Sequence, residues 1–179
     1  MNIFYLDKDA KTAAQYHCDK HVVKMIIEYA QLLSTAHRIL DGTQYLDKTA
    51  NGRNIKRWKL TDRRESILYK ASHINHPSAV WVRESNEHYT WLWNLAMDLC
   101  REYSHRYSNK EHKTTLVLQN LSFGPQNIPR TGLFSEPPQA MPADAKIPGD
   151  SVAAYRNYYK KYKTRFATWK NREVPEWYK

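Results

Sequence analysis

Four polar side chains on one helical stretch could do chemistry: His21, Lys24, Glu28 and Gln31, within KHVVKMIIEYAQLL at residues 20–33. Around them stand Val22, Val23, Met25, Ile26, Ile27, Leu32 and Leu33, so most of this helix calls for burial. At about 100° per residue the four polar groups fall within an arc of roughly 80°. Such a line faces either water or a site. A carboxylate held among apolar neighbours, beside an ammonium and an imidazole, can act as a general acid or stabilise a developing cation. Glu28 is therefore the candidate catalytic residue, and His21 and Lys24 are candidates to line its site.

Other chemistries find less support. His17 and His21 sit four apart with Cys18 between them. No Glu stands between them in the HExxH sense, and no second cluster completes four ligands, so no metal is expected. GxGxxG, P-loop, GxSxG and the HxE…PCxxC deaminase signature do not occur, and no cofactor is expected. Cys18 and Cys100 are expected as reduced thiols of a cytoplasmic protein, since MNIFYLDKDAK has no apolar core of a signal peptide. No apolar run approaches the ~20 residues needed to cross a bilayer.

The elements that must carry these residues read as mainly helical. The chain has 179 residues, 41% apolar and 13% aromatic, which suits one domain spanning 1–179 and excludes a disordered chain. Residues 2–6 read as a short strand or extended segment. Asp9 or Thr12 caps a helix running to about Leu40, and Asp41-Gly42 ends it. Residues 43–60 are polar and basic, with a turn at Asn51-Gly52. A shorter helix is expected over Thr61–Ala71. Pro77 suits the first turn of another, and Ser85 is a candidate cap for a long helix to about Tyr107, with a further helical piece in 111–121. Residues 122–150 hold six of the eight prolines and three of the five glycines, and read as a long irregular segment that wraps the body or lines a site. Asp150 caps a last helix to about Arg172. The expected fold is a compact, mainly α single-domain helical bundle with that Pro-rich irregular segment.

The net charge of +10 points to an anionic partner, nucleic acid first. SVAAYRNYYKKYKTRFATWKNR carries seven Lys or Arg and no acid, with aromatic residues at three- and four-residue spacing. RNIKRWKLTDRR at 53–64 adds six basic residues and one Asp. Two such runs suggest a phosphate-binding surface with tyrosine rings near bases. Lys20, Arg53, Lys56, Arg57, Arg156, Tyr159, Lys160, Lys161 and Lys163 are the candidate contacts to DNA.

Three stretches resemble the pyrimidine-dimer DNA glycosylase (endonuclease V) family of bacteriophages and bacteria. The opening is similar to the family's short N-terminal segment and following helix, whose K-R/H-x-x-K-x-x-x-E pattern falls here on Lys20, His21, Lys24 and Glu28. NHPSAVW resembles the family's Asn-His-Pro motif, on Asn75, His76, Pro77 and Trp81. YRNYYKKYK is loosely similar to its aromatic and basic C-terminal segment, whereas residues 108–150 match no part of it.

The resemblance implies a compact helical domain that excises a base from duplex DNA and then cleaves the strand at the abasic site, with no metal or cofactor. It implies a chain-terminal α-amine that attacks the sugar C1′ as a Schiff-base nucleophile, assisted by the Glu that matches Glu28. Such an amine titrates near about 7.7–8.0 in model peptides, so a useful fraction is nucleophilic near neutrality. Asn2 is a large residue that normally leaves Met1 in place, whereas the best-known members of the family expose a small residue there. Either the amine of Met1 is used, or the nucleophile differs, with Lys24 a substitute amine, or the lyase chemistry is lost. Met1 and Asn2 stand with Glu28 as the candidate catalytic residues. Asn75 and His76 join the site-lining candidates. The expected partner is duplex DNA, the expected state a monomer, and the expected compartment the cytoplasm, that of the host cell if the gene is viral. Three other readings stay open: a non-catalytic nucleic-acid-binding protein on the same scaffold, an enzyme acting on modified nucleotides, and a small interaction protein whose positive charge serves an acidic partner.

Overall fold

Asp9 starts the first helix: its carboxylate accepts from the Thr12 N–H at 2.8 Å. In the computed structural model, which describes residues 1–179, that helix is α1 (Ala10–Tyr16). It stops at His17, and α2 (Asp19–Asp41) begins two residues later. The single helix expected from Asp9 to Leu40 is thus two. The break is stabilised from outside. Arg106, fully buried, donates to the carbonyls of Gln15 and His17, and the Asp19 carboxylate accepts from the Thr168 hydroxyl and the Lys170 N–H. Local periodicity holds no trace of those distant partners.

Helix α2 is the central rod. Its 23 residues rise about 35 Å. It buries Val22, Met25, Ile26, Tyr29, Ala30, Leu32, Leu33 and Ala36 against α4 (Pro77–Glu84) and α5 (Asn86–Arg106). Pro77 occupies the first turn of α4, where its missing N–H goes unused, and the Ser85 hydroxyl accepts from the His88 N–H to cap α5. Helix α6 (Thr115–Gln119) packs on α5, and α7 (Ser151–Tyr162), capped by Asp150, packs over the N-terminal segment. One contiguous core of 35 residues joins these elements. No helix is long and apolar enough to cross a membrane.

The expectation of a mainly α helical bundle with a long irregular 122–150 segment is overturned. Seven helices with two short 3-10 turns make up 48% of the chain, and an antiparallel hairpin stands beside them. The hairpin pairs β1 (Thr43–Lys48) with β2 (Asn54–Lys59), in the stretch expected to be only polar and basic. It turns at Gly52, whose φ of 78° lies in the left-handed region. Residues 122–150 follow one ordered path with a 3-10 turn at Ala143–Ala145. Ile128, Met141 and Ala145 are buried, the Asn127 N–H donates to Asp41, and the Trp81 indole donates to the Ser135 carbonyl. Prolines keep the segment out of helix and sheet, but those bonds give it a fixed course.

Two more helices end earlier than the sequence suggests. Helix α3 spans only Arg64–Ile67, because the carbonyls of Glu65, Leu68 and Tyr69 accept from the buried Arg38 guanidinium. Helix α7 ends at Tyr162. The chain then runs back to the α1–α2 junction, where the Trp169 indole donates to the Tyr16 carbonyl.

Candidate active site

The N-terminal segment reaches the α2 polar line because its own residues are core. Ile3, Phe4, Tyr5 and Leu6 are buried, and the segment is held by a relay. The Phe4 N–H donates to the Tyr29 hydroxyl at 3.1 Å, and that hydroxyl faces His17 Nε2 at 3.0 Å. His17 Nδ1 lies 2.7 Å from the Ala13 carbonyl, which can only accept, so Nδ1 carries the proton and Tyr29 donates to Nε2. The relay needs a neutral ring, and burial supplies it by pushing the His17 pKa down to about 4.

Anchored in this way, the chain end meets Glu28. The Met1 nitrogen lies 3.7 Å from Glu28 Oε2, and Lys24 Nζ lies 3.0 Å from Oε1. The Met1 side chain is only 5% exposed and Glu28 17%, whereas Lys24 is 61% exposed. His76, just before α4, completes the group. Burial lowers its pKa first, the Met1 ammonium second and His73 third, with Glu28 acting in the opposite direction. Its Nδ1 accepts from the Ser78 N–H at 3.2 Å, leaving Nε2 as the ring's other polar atom. The result is one carboxylate faced by two amines, with an imidazole in the field of Met1 and Glu28. It can stabilise a cation and pass a proton between neighbours.

The other expected site residues divide. Asn2 is half-buried beside Met1, and Asn75 is exposed with no bond to Met1 or Glu28. His21 leaves the line altogether: it is 5% exposed, stacked on Phe4 at 4.2 Å, and hydrogen-bonded through Nδ1 to the Tyr159 hydroxyl at 2.6 Å. Burial pushes its pKa down to about 2. The helical wheel gives the arc correctly but not where neighbours end. Tyr159 and Phe166 cover the His21 end and leave Lys24 exposed and Glu28 partly so.

The expected cationic face is also narrower. Tyr159 is fully buried and cannot reach a base. Arg156 is committed: it donates to the Leu6 carbonyl and Asp7, and lies over the rings of Tyr16 and Trp177. Lys161 pairs with Asp144, and Lys163 donates to the Tyr158 hydroxyl. Lys20 sits over the Phe166 ring, and Arg57 is half-buried near Asp47 at 3.9 Å. Lys160, Arg53 and Lys56 are exposed.

The largest cleft, about 730 Å³, is lined by Asp7, Lys8, Asp150, Arg156, Lys160 and Trp177 among others, and contains neither Met1 nor Glu28. The chemistry-bearing group lies outside that cleft, with Met1 and Glu28 largely buried and Lys24 as its exposed member. Met1, Tyr29 and His17 carry structural weight that the polar pattern alone does not reveal; the proximity of Tyr29 to Glu28 in sequence was the available signal. Comparison with protein-family profiles, curated proteins and solved structures returns no match for this chain.

Proposed function

We propose that this chain is a DNA glycosylase with associated abasic-site lyase activity, acting on damaged or modified pyrimidines in duplex DNA. The observation that carries this reading is the 3.7 Å approach of the Met1 nitrogen to the Glu28 carboxylate, in a protein of net charge +10. The free amine nitrogen forms a bond to the sugar C1′. The glycosidic bond breaks with its electron pair on the departing base, and the proton shed by nitrogen passes to that base or to water. The nitrogen lone pair then opens the ring: the C1′–O4′ bond breaks, O4′ takes its electron pair and a proton from water, and the Glu28 carboxylate faces the positive charge of the resulting iminium. Glu28 then removes a C2′ proton, and the electron pair moves to expel the 3′ phosphate.

Lys24 is a second amine at 3.0 Å from the same carboxylate, and the same steps can start from its Nζ. Borohydride trapping on a duplex with one abasic site tests both routes. A covalent adduct mapped by mass spectrometry to Met1 or to Lys24 is the expected result. Absence of any adduct, with strand cleavage no faster than in buffer, would overturn the reading.

A further inference from the structure

The hairpin has a feature the proposed chemistry does not use. Its two strands form the whole sheet, so both outer edges lack a partner strand, and most of its residues are exposed. An isolated two-stranded hairpin is marginal in water. This one is fixed only at its base, where Arg38 donates to the Trp58 carbonyl and the Leu60 N–H donates to Glu65.

The register sorts its side chains. Leu46 pairs with Lys56, Lys48 with Asn54 and Gln44 with Trp58, which places these six on one face. On that face Leu46 is 70% exposed and Lys48 and Lys56 are exposed, with Arg53 exposed at the turn. Residues 43–59 hold five cations and one acid, and that acid, Asp47, lies on the other face, 3.9 Å from Arg57. A projecting ribbon, positive on one face and at its tip, is complementary to a polyanion with a groove.

We propose that this hairpin enters the major groove of duplex DNA with its Leu46, Lys48 and Lys56 face toward the duplex and Arg53 leading. The inference rests on the duplex-DNA part of the function proposed above, not on its chemistry. The major groove is about 12 Å wide and 8.5 Å deep, and admits a two-stranded ribbon. Lys48, Arg53 and Lys56 reach phosphates or base edges, and Leu46 meets thymine methyl groups. Glu28 lies 13 helical residues before the end of α2, a rise of about 20 Å, less than one turn of the duplex.

The test uses undamaged duplex of about three helical turns, so that failure of the excision chemistry leaves the result readable. Binding is followed by anisotropy across a salt series, and groove contacts by dimethyl sulfate, which methylates guanine N7 in the major groove and adenine N3 in the minor. Wild-type protein should protect guanine N7. K48Q/R53Q/K56Q should weaken binding at least about tenfold, flatten the log–log salt slope by about 2 to 3, and abolish that protection. Lys59→Gln, on the opposite face, should change the slope by about 1 or less and keep it. All four side chains are exposed, so an unchanged melting midpoint verifies the fold. Protection confined to adenine N3, a triple variant that binds like wild type, or equal binding to anionic vesicles or polyglutamate would overturn the inference. If the triple variant binds normally while borohydride still traps the protein, the hairpin assignment falls and the proposed function stands.

Discussion

Glu28 is expected to matter through its charge, because both oxygens face amines. Glu28→Gln keeps the shape and removes the carboxylate. Removing a general acid–base group costs typically 10²–10⁴-fold in rate. Single-turnover cleavage of an abasic duplex should therefore fall at least about 100-fold, with duplex affinity within a few-fold of wild type. Equal rates for the two proteins would remove Glu28 from the reaction. Tyr29 is the positioning residue behind it. Tyr29→Phe leaves the Phe4 N–H and His17 Nε2 without their shared partner, a loss of about 1–3 kcal/mol for buried groups. Urea unfolding should show that loss, and trapping at Met1 should slow more than binding weakens. Residue types alone pointed to Glu28 and Lys24, since a polar line on an apolar helix is visible in sequence. His21 belongs to the same line and yet lies in the core, because only tertiary contact decides where a solvent-facing stripe stops.

Helix starts were legible where the cap is local: Asp9, Ser85 and Asp150 each accept a backbone N–H two or three residues inside their helices. Helix interruptions were not. The gap between α1 and α2 depends on Arg106, about 90 positions away, and α3 is cut short by Arg38. The hairpin was hidden for a related reason: its strands are exposed on both faces, so the apolar alternation that usually betrays a strand is weak. Arg106→Met tests the long-range account. It strips a fully buried guanidinium from Glu102 and Asp19, and breaking a buried pair in this way costs about 3–5 kcal/mol. The urea midpoint should drop accordingly, with the salt slope of DNA binding unchanged. A loss below about 1 kcal/mol would show that the α1–α2 junction is held by something else.

The whole molecule should be sensitive to acid. His17 and His37 have pKa values pushed down to about 4, and His21 to about 2, in each case chiefly by burial. In the unfolded chain these rings take protons below about 6.5. Between that value and about 4 the unfolded state binds more protons than the folded one, so stability falls as pH falls. The upper limit is about 1.4 kcal/mol per pH unit for each ring. The carboxylates of Asp41, Glu65 and Glu102, raised by burial but held low on balance by arginines and, at Asp41 and Glu65, by backbone donors, withdraw their contribution only at still lower pH. The urea midpoint should therefore decline steadily from pH 7 to pH 5, and His17→Gln should flatten part of that slope. A midpoint constant over this range would contradict the neutral-ring relay that holds Phe4 beside Tyr29.

The unpaired outer rims of β1 and β2 have a further consequence at high protein concentration. Each rim offers free backbone donors and acceptors to the rim of a second molecule, and lysines are the usual guard against such zipping. Lys48, Lys56 and Lys59 supply that mutual repulsion here. Stripping them of charge would let ribbons from separate molecules stack into a wider sheet, so neutralised proteins should sediment as larger species as they are concentrated, while the parent chain stays apart.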